Sequence, residues 1–242
     1  MSTLFISDLH LSSDQPAITQ LFLNFLQYQA KQAEALYILG DLFETWVGDD
    51  NLSTYNQSII AALAELTASG IATYFMPGNR DFLIGKRFIQ QTGCRYLTDP
   101  TMIDLYGKPT LLTHGDSWCT LDKHYQRYRR WSRNPFWQFL FLHLPLLWRQ
   151  KIANFLRNQE HSTAPTDATK YDVTLPDMLT CLKHYSGTQQ IIHGHTHLPS
   201  IQLIKIADDT WIKRFVLSDW TSKQGNVLSA LPNHSFELIY FN

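Results

Sequence analysis

The chain has 242 residues, 44% of them hydrophobic, 13% aromatic and 17% charged, with a formal charge of −1. That balance excludes a disordered chain, and the length suits one domain over residues 1–242 that buries roughly 70 to 75% of its unfolded surface. The three cysteines, Cys94, Cys119 and Cys181, are odd in number and form no CxxC, which excludes a disulfide framework and a thiolate zinc site and fits a reducing compartment.

In chain order, Leu4 to Ser7 reads as a buried strand with no basic signal-peptide region before it, so the mature chain is expected to start at or near Met1. It runs straight into Asp8-Leu9-His10. Ile18, Leu21, Phe22, Phe25 and Leu26 then follow the spacing of an amphipathic helix, with Pro16 suited to its first turn. The apolar run Ala35 to Leu39 ends in Gly40-Asp41-Leu42-Phe43-Glu44. A second helix contains Ile59, Ile60, Leu63 and Leu66 and is expected to close at Gly70. Ile71 to Met76 leads to Gly78-Asn79-Arg80-Asp81, Pro109 to Thr113 to His114-Gly115-Asp116, and Gln190 to His193 to His193-Gly194-His195-Thr196-His197.

Between the last two runs, Leu121 to Ala164 shows no clear strand and reads as an inserted helical cap of two stretches, broken near Asn134-Pro135 and at Pro145. Its apolar run Pro135 to Trp148 is 14 residues, short of the ~20 needed to span a bilayer. Lys123 to Arg157 holds eight basic residues and no acidic one, leaving 12 basic and 21 acidic residues elsewhere. An anionic partner is expected for this segment. Val173 to His184 suits a third helix, and strands at Ile201 to Ile206, Trp211 to Leu217, Val227 to Leu231 and Phe236 to Phe241 complete the chain. The order of elements predicts an α/β fold of two mixed sheets packed face to face with helices outside.

Each polar cluster follows a strand, so a sheet edge that gathers the strand ends would gather their side chains. In an extended backbone Asp8 and His10 project to one face, as do His195 and His197, and each pair can hold one metal. Asp41 supplies a carboxylate able to bridge two cations, and Asn79 and His114 add an oxygen and a nitrogen. Seven donors exceed one tetrahedral ion but suit two divalent ions about 3.5 to 4 Å apart, the arrangement of in-line phosphoryl displacement. The mixed imidazole and oxygen donors favour Mn²⁺, Fe, Co²⁺ or Zn²⁺ over Mg²⁺. Arg80 is expected to stabilise oxyanion charge, and Asp81 and Asp116 to orient ligands. His193 either orients a ligand or is a satisfied core histidine.

These five blocks resemble the signature of the calcineurin-like metallophosphoesterases. The resemblance implies a four-layer α/β/β/α sandwich, with Asp8, His10 and His197 on one metal, Asn79, His114 and His195 on the other, and Asp41 on both. The wording Phe5 to Leu11, Tyr37 to Glu44, Gly78 to Gly85 and Ile192 to His197 is most similar to the UDP-2,3-diacylglucosamine diphosphatase family of bacterial lipid A biosynthesis. That implies a Mn²⁺-dependent pyrophosphohydrolase of the Gram-negative cytoplasm, peripheral to the inner membrane, with Asp41, Asn79, Arg80, His114 and His195 in catalysis. Its product pair is UMP and diacylglucosamine 1-phosphate. Asp122, Asn79, Arg80 and His195 match positions that contact the nucleotide half of the substrate, and Tyr125 is expected to stack nearby.

The cap's Phe136, Trp137, Phe139, Leu140, Phe141, Leu144, Leu146, Leu147 and Trp148 are candidates to line an acyl-chain pocket. Arg127, Arg129, Arg130, Arg133 and Arg149 are candidates to rest on an anionic membrane. At the cap's far end Glu160, Ala164 and Asp167 stand where the family has a serine, an asparagine and a lysine toward UDP. Either Ser162, Thr163 or Lys170 substitutes through a shifted register, or the substrate is another nucleotide pyrophosphate or phosphodiester. A nuclease fits the apolar cap and acidic remainder less well, and a metal-free scaffold does not explain the retention of all seven donors.

Overall fold

The computed structural model describes residues 1–163, 173–207 and 210–242. Among them, β1 (Thr3–Ile6), β2 (Ala35–Leu39), β3 (Ala72–Met76), β4 (Arg95–Tyr96), β10 (Gly225–Ala230) and β11 (Phe236–Phe241) form one sheet in the order β11-β10-β1-β2-β3-β4. A second sheet has the order β5-β6-β7-β9-β8, from β5 (Thr101–Leu105), β6 (Lys108–Thr113), β7 (Gln190–His193), β8 (Ser200–Ala207) and β9 (Thr210–Val216). Both are mixed: β1-β2-β3-β4 and β6-β7-β9 pair in parallel, the outer strands antiparallel.

Alternation along β1 explains the layering. Leu4 and Ile6 face the helices, where Phe22 and Phe25 of α1 (Pro16–Tyr28), Ile59 and Leu63 of α2 (Thr54–Ala68) and Phe88 of α3 (Lys86–Thr92) are buried with them. Phe5 faces the other way, into a core with Leu39 and Met76 of its own sheet and Leu112, Ile192 and Phe215 of the second. Beyond the second sheet, Leu111, Ile191 and Ile212 pack on Met178 and Leu182 of α7 (Leu175–Leu182). Each such buried side chain contributes roughly 1.5–3 kcal/mol relative to exposure. The four layers, helices, sheet, sheet and helix, are those expected.

Three details differ from the sequence expectation. The five motif strands are divided between sheets, β1, β2 and β3 in the first and β6 and β7 in the second. β4, β5 and α3 went unrecognised. α3 is capped from a distance, with Asp49 accepting backbone N–H bonds from Gly85, Arg87 and Phe88 at 2.9–3.1 Å. Among the described residues the cap comprises three helices rather than two stretches, α4 (Lys123–Ser132), α5 (Pro135–Leu142) and α6 (Leu146–Thr163), divided at the two expected breaks, so that the apolar run Pro135 to Trp148 is shared between α5 and α6. Pro135 occupies the first turn of α5, and Asn134 Oδ1 accepts from Phe136 N at 2.9 Å.

Candidate metal centre

The strand ends do not present their donors by extended alternation. Asp8, His10, Asp41, His195 and His197 all have positive φ, from 51° to 69°. This left-handed region is uncommon for residues with a side chain, and holding one there costs about 1–3 kcal/mol. Backbone bonds between clusters oppose that cost: Asp8 N donates to Gly40 O at 3.1 Å, His10 N to Asp41 O at 3.0 Å, and Gly194 N to His114 O at 3.1 Å. Tight left-handed turns, locked to one another, therefore aim the side chains.

They aim them at one volume. Donor atoms of Asp8, His10 and His197 lie within 4.8 Å of one another, and so do those of Asp8, Asp41 and His114. Asn79 Oδ1 is 2.8 Å from His114 Nε2 and 2.9 Å from His195 Nδ1. The two oxygens of Asp41 face different halves, Oδ2 at 3.9 Å from His10 Nε2 and Oδ1 at 3.7 Å from His114 Nε2. All seven residues singled out from the sequence as metal ligands thus converge, with Asp8 also reaching the second group.

The donors fit cations. Asp8 is fully buried, and its Oδ2 accepts from Ser7 Oγ and from His195 N, the latter at 2.9 Å. Its Oδ1 makes no hydrogen bond among the described residues and lies 3.4 Å from His197 Nε2. A buried carboxylate oxygen without a donor is costly unless a cation faces it. The titration pattern agrees. Burial alone would depress His114, but the charges of Asp41, Asp8 and Asp116 hold it up to about 9. His195, buried and beside His114, is pushed down to about 4. Burial raises Asp8, yet the nearby imidazoles of His197, His114 and His10 leave it below the usual carboxylate range. The cluster's field favours positive charge.

Surrounding groups fix the donors. Asp81 Oδ1 accepts from Gly78 N at 2.7 Å and Oδ2 from Leu42 N at 2.8 Å, holding two motif loops together. Burial and the Asp41 charge push its carboxyl up to about 6. His114 Nδ1 faces the Leu39 carbonyl at 2.9 Å, and His10 Nδ1 lies 2.9 Å from Glu44 Oε2, so each ring turns Nε2 toward the site. A Cβ on Gly78 would collide with the Asp41 carboxylate and backbone, and one on Gly194 with Asp8 and Ser7. His193 is the satisfied core histidine: Nδ1 bonds Gly194 O and Nε2 accepts from Arg214 Nε, both at 2.8 Å. Burial and Arg214 depress it to about 3, so it is neutral. The roles of Ser7, Glu44 and Asp219 were not anticipated; Asp219 Oδ2, 3.7 Å from His197 Nδ1, belongs to no motif that would have marked it.

The cap closes over this cluster. A cavity of about 250 Å³ runs between them, lined by Trp46, Val47, Phe82, Leu83, Trp131, Trp137, Phe141, Ile152 and Leu156, with Glu44, Asn79, Arg80 and Arg157 at its polar part. Arg80 N donates to Asp41 Oδ1 at 2.8 Å. Tyr125 donates its hydroxyl to Asp116 Oδ2 at 2.6 Å, and its ring lies 6.1 Å from that of His195. Asp122 caps α4, its Oδ1 accepting from Tyr125 N at 2.9 Å. Of the nine apolar cap residues offered as an acyl pocket, Trp137 and Phe141 line it. Phe136, Phe139, Leu140, Leu144, Leu147 and Trp148 are instead exposed, and Leu146 is half-buried outside the lining.

The basic residues also divide. Arg129 Nε donates to Asp116 at 2.7 Å, Arg133 Nη2 to Gly78 O at 2.7 Å, and Arg149 is buried against Val47 O, Leu144 O and Asp50. These three attach the cap to the acidic body, and Arg127 and Arg130 remain exposed. Ala164, Asp167 and Lys170, and the side chains of Glu160, Ser162 and Thr163, lie outside the described residues.

The calcineurin-like phosphoesterase family model matches residues 1–199. A UDP-2,3-diacylglucosamine hydrolase of Pseudomonas paraeruginosa is 47% identical over 233 residues, covering 96% of each chain. One of Pseudomonas fluorescens is 44% identical over 239 residues, covering 99% of this chain and 94% of its own. Among solved structures, an archaeal phosphodiesterase aligns over 100% of both chains with a TM-score of 0.50 at 11% identity. A dimetal phosphatase of Danio rerio aligns over 99% of this chain and 92% of its own, with a TM-score of 0.50 at 13% identity. These structures share the two-sheet fold, and the family model spans all five motif blocks. The chain belongs to the calcineurin-like phosphoesterase family.

Proposed function

We propose that this chain hydrolyses the pyrophosphate of UDP-2,3-diacylglucosamine to UMP and 2,3-diacylglucosamine 1-phosphate, a step of lipid A biosynthesis. The observation that carries this reading is the cavity whose apolar walls come from the cap and whose polar part holds Asn79 and Arg80, beside the donor cluster. The relatives that share the chain nearly end to end point to the same substrate.

Asp8, His10 and His197 would hold one divalent ion, Asn79, His114 and His195 a second, and Asp41 both, with Mn²⁺ the expected metal. Such a pair lowers the pKa of water and neutralises charge developing on phosphoryl oxygens. Arg80 adds a fixed positive charge at the cavity's polar part. Tyr125, held by Asp116, offers a ring beside His195 to the nucleotide half, and Asp122 sets the start of the helix that carries it. Trp137, Phe141, Ile152 and Leu156 would cover acyl chain, each buried CH₂ contributing roughly 0.8 kcal/mol.

The cap's outer face supports a peripheral seat on the cytoplasmic side of an anionic inner membrane. α5 is almost wholly apolar, yet none of its residues is buried, and Arg127 and Arg130 are exposed nearby in sequence. Among the described residues no helix is long and apolar enough to cross a membrane. Sedimentation with anionic vesicles tests this: salt-sensitive binding is expected, and its absence removes the membrane seat.

The substrate is tested by comparing kcat/KM for UDP-2,3-diacylglucosamine and UDP-N-acetylglucosamine on the Mn²⁺-loaded protein. A preference of about a hundredfold or more for the acylated substrate is expected, the worth of three or four buried CH₂ groups. Equal turnover would leave a pyrophosphatase without lipid selectivity.

A further inference from the structure

Beside the seven donors, the carboxylate of Glu44 touches both an imidazole of the metal cluster and the cap. Glu44 uses its two oxygens separately: Oε2 lies 2.9 Å from His10 Nδ1, and Oε1 lies 3.0 Å from Arg157 Nε on α6. Its backbone is fixed, with Glu44 N donating to Leu11 O at 3.1 Å. The side chain is therefore the part that must be held, and at 11% exposure little water is available to hold it.

The chemistry of the arrangement is directional. A proton on Nδ1 of His10, facing Glu44, leaves Nε2 as the lone-pair nitrogen, and Nε2 is the atom that points to Asp41, 3.9 Å away. A carboxylate behind a metal-binding imidazole fixes its tautomer and orientation and raises its basicity. Without Arg157, Oε1 of Glu44 loses the guanidinium that lies 3.0 Å from it, and the charge of Arg80 is left to draw on the carboxylate from the same cavity wall. Both Glu44 and Arg157 also line the cap cavity, so the link runs along the wall that substrate would touch.

We propose that Glu44 is a positioning residue that lets the cap set the metal affinity of the half-site containing His10, because Arg157 of α6 and His10 share its carboxylate. The inference rests on the reading of the seven donors as a metal pair. It assigns Arg157 a role in metal binding although Arg157 is not among those donors. A ligand that draws on Arg157 in the cavity and an ion in that half-site would then change each other's affinity by one common factor.

The test is Mn²⁺ titration of the full chain, followed by electron paramagnetic resonance, for wild type, Glu44→Met, Arg157→Met and Arg157→Lys. In wild type two ions are expected, with the spectrum of a spin-coupled pair. Glu44→Met should weaken one ion about 10- to 100-fold, as loss of an outer partner does, and convert the spectrum to that of a single ion. Arg157→Met should weaken the same ion by a smaller factor, and Arg157→Lys should restore it. The other ion, bound as in wild type, shows that each variant is folded. Wild-type-like binding of both ions in Glu44→Met overturns the inference, and an effect of Glu44→Met with none of Arg157→Met overturns the cap's part in it. A wild type that binds fewer than two ions would instead overturn the metal-pair reading itself.

Discussion

Nε2 of His114 lies 2.8 Å from Oδ1 of Asn79, while Nδ1 of the same ring faces the Leu39 carbonyl at 2.9 Å. Both ring nitrogens meet oxygens, so in metal-free protein the ring is best satisfied when it carries both protons. Burial opposes that charge, but Asp41, Asp8 and Asp116 outweigh it and hold His114 up to about 9.

A pH dependence follows from the sign of this shift. A histidine whose folded pKa is raised from 6.5 contributes stability that is fully present below about 6.5 and lost as pH rises through about 9. The melting temperature of metal-free protein should fall across that window, and His114→Gln should flatten this part of the profile. Metal must displace the Nε2 proton, so Mn²⁺ affinity should rise over the same range. Thermal melts and metal titrations at pH 6.5, 7.5 and 9 check both. A flat metal-free profile would contradict the assignment.

Gly78 and Gly187 should respond unequally to alanine. A Cβ on Gly78 meets both the carboxylate and the backbone nitrogen of Asp41, whereas one on Gly187 meets nothing within 4 Å, although φ there is +83°. Gly187→Ala should cost about 1–2 kcal/mol, the penalty of a left-handed Cβ. Gly78→Ala should exceed about 3 kcal/mol or displace Asp41, because neither neighbour is the free end of a flexible chain. Urea unfolding, paired with Mn²⁺ titration, separates the two.

Arg149 and Arg127 should also differ, though both belong to the same basic segment. Arg149→Leu leaves the Val47 and Leu144 carbonyls without their guanidinium donor. An unsatisfied buried carbonyl costs about 1–3 kcal/mol. The urea midpoint should drop accordingly. Arg127→Leu, at an exposed position, should stay within about 0.5 kcal/mol of wild type. Equal effects would mean that the segment's charge, rather than its seating on the body, governs stability.

The donors were legible because each is carried by a short local word after an apolar run: Asp8-Leu9-His10 and His195-Thr196-His197 can be read without knowing what lies opposite. The backbone that aims them was not. Nothing in those words announces left-handed φ at five of the seven, and an extended strand would have satisfied the same spacing. Long-range partners were equally hidden: α3 begins where Asp49, dozens of residues earlier, caps it, and β5 turns into β6 through Tyr106 and Gly107, both at positive φ, without the Asn-Gly that marks such turns. In the cap, apolar content revealed helices but not their covered faces. Phe141 reaches the cavity while its neighbour Leu140 is exposed, and charge content likewise could not show that Arg129 and Arg133 turn to Asp116. The four-layer order was readable because helix-strand units come first and a strand-rich end last, and strands as apolar as β1 need cover on both faces.

The seven donors and the cap cavity are proposed to act together on a lipid-bearing pyrophosphate. ³¹P NMR of the products from UDP-2,3-diacylglucosamine, with Mn²⁺-loaded wild type and Asp41→Ala side by side, tests it most directly. Wild type is expected to convert the diphosphate signals into those of UMP and 2,3-diacylglucosamine 1-phosphate, and Asp41→Ala to do so at least about a thousandfold more slowly, since a metal pair held there would supply several kcal/mol of transition-state stabilisation. An unchanged diphosphate spectrum from wild type shown to hold two metal ions, or equal turnover by Asp41→Ala, would contradict it.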